Sequence, residues 1–197
     1  FVASDTAVSV SGSAAVTVST AVGAQAGAAI LVATNVTATF SSGVSDEFAN
    51  LYNSGTPPAV TDNLDAIRLS DPDVDIAISN TSGSISAVDL SALAAANTTG
   101  SVTVSGAVTV TGTQSSVTAA VVTDGVLAAS ASVTIGDVAA TNIDATALTA
   151  IAAKVASVSV SNAVNIQGDD GQVKIALVDD QVAAAQATIE IAGAATV

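Results

Sequence analysis

The sequence predicts a mainly β protein, a β-solenoid-like stack of tandem repeats with short Ala-rich helices packed along one side. Three observations predict it. Long segments repeat at a constant offset, short runs alternate apolar with Ser/Thr residues, and almost no large side chains are present to fill a broad core. A β-sandwich subunit that polymerises by strand exchange is the alternative reading of the same pattern.

The repeat comes first because it organises everything else. Val117–Ile135 and Val173–Ile191 are identical at nine of 19 positions at an offset of 56 residues, Val117 falling on Val173. The same offset relates Ser101–Gly112 to Ser157–Gly168, with seven of 12 identical. Val88–Leu93 corresponds to Ile143–Leu148 at an offset of 55. Residues 88–142 and 143–197 are therefore two copies of one unit, each holding two half-units of about 28 residues, a length within the range of stacked repeats. Val8–Gly12 and Ala15–Val18 echo the Val102–Val110 block with two residues inserted.

Strands follow from alternation. In Val102-Thr-Val104, Val108-Thr-Val110, Val133-Thr-Ile135 and Val158-Ser-Val160 the apolar residues share one face and the hydroxyls the other. Gly106, Gly112, Gly136 and Asn162 punctuate them as corners would. Ala-rich runs that open on Asp, over Asp89–Ala96, Asp124–Ala131, Asp144–Ala156 and Asp179–Ala187, predict helices, since Asp caps a first turn and Ala has the highest helix propensity.

The predicted organisation is a degraded repeat, N-terminal cap or docking region over 1–63 and tandem repeats over 64–197. All four aromatics, Phe1, Phe40, Phe48 and Tyr52, lie in the first region, and Pro57-Pro58 breaks it. Asp46–Tyr52 reads as a short helix and Ser54–Asn63 as a connector. The chain begins at Phe1 rather than Met, which predicts a processed product or a piece of something longer. The array reaches Val197 without a capping sequence, which predicts either a longer repeat protein or an end that pairs with another subunit.

Composition excludes several functions. Hydrophobic residues make up 50% of the 197, aromatics 2% and charged residues 10%. Arg68, Lys154 and Lys174 alone oppose the acidic residues, giving a net charge of −14. Nucleic-acid binding needs clustered cations and is excluded. The longest apolar run, Ala28–Ala33, is far shorter than the ~20 residues of a spanning helix, so membrane insertion is not expected. With no His and no Cys, neither a Ser–His–Asp or Cys–His nucleophile system nor an ordinary zinc site can be assembled. The reading is of a non-enzyme; a carboxylate-based, polysaccharide-active enzyme ranks third among the functions weighed.

Calcium is the one small ligand the residue types suit. Asp71, Asp73 and Asp75 alternate along an extended segment, and Asp169 and Asp170 sit in a Gly-flanked turn, although hard cations take six to eight oxygens and neither cluster supplies that number alone. Otherwise no cofactor is expected. Asn35, Asn80 and Asn97 open Asn-x-Ser/Thr triplets and are candidate glycan acceptors for an exported chain.

Over about residues 64–197 the Ala/Val/Thr/Ser/Asp-rich tandem style, the acidic charge and the lack of Cys resemble bacterial surface-layer proteins, large adhesins and extracellular filament proteins. That resemblance implies a location at the cell exterior and an extracellular structural protein that assembles into filaments or a surface lattice. Its implied partner is itself, end to end or laterally, with cell-surface glycans as further partners. The alternative it leaves open is a stalk or repeat segment of a large surface adhesin.

Overall fold

The computed structural model describes residues 15–34 and 37–192. In chain order the first elements are β1 (Val16–Val18), α1 (Ala24–Thr34), β2 (Ala38–Phe40), β3 (Val44–Asp46), α2 (Phe48–Leu51), β4 (Tyr52–Asn53), β5 (Ala59–Val60), α3 (Asp62–Ser70), β6 (Ile76–Ile78), β7 (Ser84–Ser86) and α4 (Ala87–Ala96). There follow β8 (Val102–Val104), β9 (Thr109–Gly112), α5 (Gln114–Thr118), β10 (Ala128–Ile135), β11 (Asn142–Asp144), α6 (Ala145–Ala152), β12 (Val155–Val160), β13 (Asn165–Gly168), α7 (Asp170–Lys174) and β14 (Thr188–Ile191). Helices α5 and α7 each run on into a π-helical turn, Ala119–Thr123 and Ile175–Asp179.

The fold is mixed α/β, 34% helix and 31% strand, with several short parallel sheets and, among the described residues, no solenoid and no closed sheet. The mainly β expectation, in both its solenoid and its sandwich form, is overturned. Two physical causes account for it. Helices form where propensity is poor: Gln114-Ser-Ser-Val-Thr118 starts because the Thr113 hydroxyl accepts the Ser116 N–H (3.2 Å), and it is held by burial of Val117, Ala120 and Val121. Conversely, the Ala-rich run over Asp124–Ala131 does not become a helix. Its second half enters β10, where Ala128 pairs with Val155, so strand pairing overrides the propensity of Ala. Residues 180–187 are likewise non-helical. The helix expected over Asp89–Ala96 is present within α4, which starts at Ala87 and so carries Asp89 in its first turn; of that expected over Asp144–Ala156 only α6 forms, capped by Asp144, which accepts the Thr146 N–H (2.7 Å), while Val155 and Ala156 enter β12.

The chain divides into two compact units. The first comprises residues 1–80 and 92–105, the second residues 81–91 and 106–197. In the first unit β3, β6 and β8 form a parallel sheet, Val44 pairing with Ile76 and Ile76 with Val102. β1 and β2 make a parallel pair, and β4 and β5 an antiparallel one. Leu51, Leu64, Ile67, Ile76 and Ile78 are fully buried. Gly27 lets α1 approach α3, since a Cβ there would lie 2.6 Å from Ile67 Cδ1.

In the second unit two parallel sheets run in the orders β7-β9-β10-β12 and β11-β13-β14. Apolar side chains of these strands other than β14 point inward, and intervening hydroxyls link neighbouring strands. Ser157 Oγ donates to Ser132 Oγ (3.0 Å), Ser159 Oγ to the Val133 carbonyl (3.2 Å) and Ser161 Oγ to the Ile135 carbonyl (3.1 Å). The Val-Ser alternation therefore encodes more than a face: its polar half makes rungs between strands.

Residues related by the 56-residue offset take the same local structures. β9 matches β13, α5 matches α7, and the two π-helical turns match each other. Asp124 and Asp180 end those turns with nearly equal angles, φ −83° and −87°. Each is followed by a residue with positive φ, Gly125 at 70° and Gln181 at 55°. The backbone bonds repeat too: Val126 N–H donates to Ala120 and Val182 N–H to Ala176, both at 3.1 Å.

Candidate assembly edge

The strands of the two sheets in the second unit can be matched by their pairing, β9, β13, β14 and the end of β10 through the 56-residue offset, and β7 and β11 through an offset of 58 rather than the 55 that aligns Val88 with Ile143. β7 corresponds to β11, β9 to β13, and the Ser132–Ile135 half of β10 to β14. The registers agree, Thr109 pairing with Ser132 and Asn165 with Thr188. The first sheet then has a fourth strand, β12, paired in parallel to β10 through Ser132↔Ser157, Val133↔Val158, Thr134↔Ser159 and Ile135↔Val160. Among the described residues no strand occupies that position beside β14.

Burial follows the strand count. Val133 and Ile135 are 1% and 0% exposed, whereas their counterparts Ile189 and Ile191 are 50% and 44% exposed. Val178 is exposed as well. The opposite edge of the same sheet is treated differently. Gln114 Nε2 donates to the Asp144 carbonyl (2.7 Å) and the Asp144 N–H donates to Gln114 Oε1 (3.0 Å), so a side-chain amide mimics a neighbouring strand beside β11. The edge at β14 thus combines backbone facing outward with two large apolar side chains, the combination that recruits a further strand.

The acidic residues singled out in the sequence serve local structure. Asp71 is buried and accepts the Phe40 N–H (2.5 Å). Burial pushes its carboxyl above the ordinary value, the Phe40 bond opposes the rise, and neighbouring Asp73 adds to it. Asp73 itself is exposed. Asp75 accepts both the hydroxyl (2.6 Å) and the N–H (2.8 Å) of Ser101, which hold its carboxyl below the ordinary value. Asp169 closes a capping box with Gln172 at the start of α7, and Asp170 lies exposed in that first turn. Among the described residues no group of three or more His, Cys, Asp or Glu is arranged to hold a metal ion.

Of the candidate glycan acceptors, Asn35 lies outside the described residues. Asn80 Oδ1 accepts the Phe48 N–H (2.6 Å). Asn97 is 4% exposed, and the nitrogen a glycan would need donates to the Val74 carbonyl (3.1 Å). Two further acidic residues that no motif marks also matter. Asp46 accepts the Ala24 N–H (2.9 Å) and the Asn50 Nδ2–H (2.7 Å) on the wall of a 420 Å³ pocket that Gln25, Thr61 and Asn63 also line. Asp137 accepts the Gln114 N–H (2.6 Å). The bonds from Ala24 to Asp46 and from Gln114 to Asp137 span 22 and 23 residues, so only the fold discloses them.

No family model matches the chain, and no curated protein and no solved structure matches it either. No helix among the described residues is long and apolar enough to cross a membrane.

Proposed function

We propose that this chain is an extracellular structural protein whose copies join through the β14 edge into filaments or a surface lattice. The observation that supports the reading is the strand count among the described residues: three strands in one sheet where the corresponding sheet has four, with Ile189 and Ile191 exposed where Val133 and Ile135 are buried. A contact between that edge and a different surface of a second molecule is heterologous, and heterologous contacts that do not close build open polymers. The composition supports an exterior location. A chain of net charge −14 repels its own copies at low ionic strength, and a salty medium screens that repulsion. The absence of His and Cys supports a non-catalytic role.

Sedimentation velocity and negative-stain microscopy of the full chain test the proposal across protein and salt concentration. Regular polymers that lengthen with both are expected. A monomer at every concentration and ionic strength would refute assembly as the function.

A further inference from the structure

We infer that the pocket at the starts of α1 and α3 binds one unit of a neutral saccharide. The inference goes beyond the assembly reading and does not depend on it. The pocket has a volume of 420 Å³ and lies within the first unit. Small-molecule sites occupy about 300–1,000 Å³.

Its frame is built on Asp46, at the end of β3. Asp46 Oδ2 accepts the Ala24 N–H (2.9 Å), and Oδ1 accepts the Glu47 N–H (2.9 Å) and the Asn50 Nδ2–H (2.7 Å). Gly23 permits that closure, since a Cβ there would lie 2.9 Å from Asp46 Oδ2. Thr61, the N-cap of α3, is equally committed. Its hydroxyl donates to the Asn50 carbonyl (2.8 Å) and accepts the Leu64 N–H (3.4 Å). Two helix starts and a strand end are thereby tied into one hydrogen-bonded frame.

Other polar groups of the lining are uncommitted. The carboxamides of Gln25 and Asn63 are exposed and make no hydrogen bond among the described residues. The N–H groups of Gln25 and Ala26 belong to the first turn of α1, ahead of any helical acceptor. Each carboxamide offers donors and an acceptor side by side.

The same lining narrows the ligand by its chemistry. It holds no cationic side chain, so a phosphate, sulfate or carboxylate would meet Asp46 without a counter-charge. Asp46 is the only carboxylate in it and already accepts three N–H bonds, far short of the six to eight oxygens a hard cation takes. Ala26 and Ala49 supply the only apolar side chains, too little surface to retain a lipid tail or an aromatic ring. A neutral molecule that donates and accepts in several directions meets these conditions. Vicinal hydroxyls on a sugar ring have that pattern, and the two alanine methyls suit its C–H groups. Without an aromatic platform, a single sugar should bind in the millimolar range.

Saturation-transfer difference NMR on the full chain tests the inference, because it reads weak binding whether or not the chain polymerises. The probes are glucose, galactose, mannose, xylose and N-acetylglucosamine, with glucuronate as the charged control. Transfer to at least one neutral sugar and none to glucuronate is expected. Gln25→Ala with Asn63→Ala should weaken that binding about tenfold, the loss of two hydrogen bonds. Ala49→Phe, which fills the pocket, should abolish it. All three positions are exposed, so the thermal midpoints should match the wild type. No transfer to any neutral sugar overturns the inference, and so does transfer that survives both variants, which places binding elsewhere. Transfer to glucuronate as strong as to a neutral sugar refutes the assignment of ligand class. None of these results bears on polymer formation, which sedimentation decides separately.

Discussion

Gly125 and Gln181 hold one backbone position in two copies, and exchanging their side-chain classes isolates the cost of that position. Gly125 has φ +70°, and a Cβ added there would meet no atom within 4 Å. Gly125→Ala therefore changes conformational energy without creating a clash. The left-handed region costs a residue with a Cβ roughly 1–2 kcal/mol. Loss of chain entropy in the unfolded state returns about 0.4–1 kcal/mol. The net expectation is a loss of about 1 kcal/mol, equivalent to about 2–4 °C in Tm for a chain of this size. Gln181 has φ +55° and is exposed, so Gln181→Gly should move stability in the other direction by a similar amount. Urea unfolding followed by far-ultraviolet circular dichroism reads both as shifts of midpoint at constant slope. A Gly125→Ala chain as stable as the wild type, or a Gln181→Gly chain less stable than it, would refute the conformational argument.

Three further outcomes are expected. Gly100→Ala places a Cβ 2.0 Å from the Val74 carbonyl oxygen, backbone that cannot step aside, so a loss of about 3 kcal/mol is expected in the same urea assay. Asp169→Ala removes the capping box of α7 and should cost about 1 kcal/mol, with Asp169→Asn recovering most of it. Asp75 and Asp144 are held below their ordinary pKa by hydrogen bonds from Ser101 and Thr146, so the stability each adds is present above the unfolded carboxylate range and is lost as pH falls through the folded value. Asp71, raised by burial, has the opposite sign: it favours folding at low pH and loses that contribution as pH rises through its folded value. Thermal midpoints measured from neutral pH into the acid range should fall less steeply for Asp75→Asn than for the wild type.

Much of the strand pattern was legible because Val-Ser and Val-Thr alternation reports one buried face directly. Val102, Val104, Val133, Ile135, Val158 and Val160 are all buried as their spacing requires. The helices were less legible. Gln114–Thr118 contains no strong helix former apart from Gln, and its start depends on a hydroxyl at Thr113 and on burial of Val117. Both are consequences of packing that no local window contains. Ala-rich runs misled for the reciprocal reason, since Ala fits a thin β layer as readily as a helix and Ala131 is fully buried in β10. The hydrogen-bond partners of the acidic residues were not legible from their proximity in sequence. Asp71 and Asp75 instead reach Phe40 and Ser101, separated from them by 31 and 26 residues. The apolar character of the β14 edge was not legible in the sequence; it required the comparison with β10.

Because β14 presents what β10 presents, a joint at the proposed assembly edge would be independent of how many copies precede it. A gene that duplicated or lost one 56-residue segment would encode a longer or shorter protein with the β14 edge unaltered. Variants of different length could then coexist in one polymer, each compatible with every other, and the spacing of whatever they carry could drift without any compensating change at the joint.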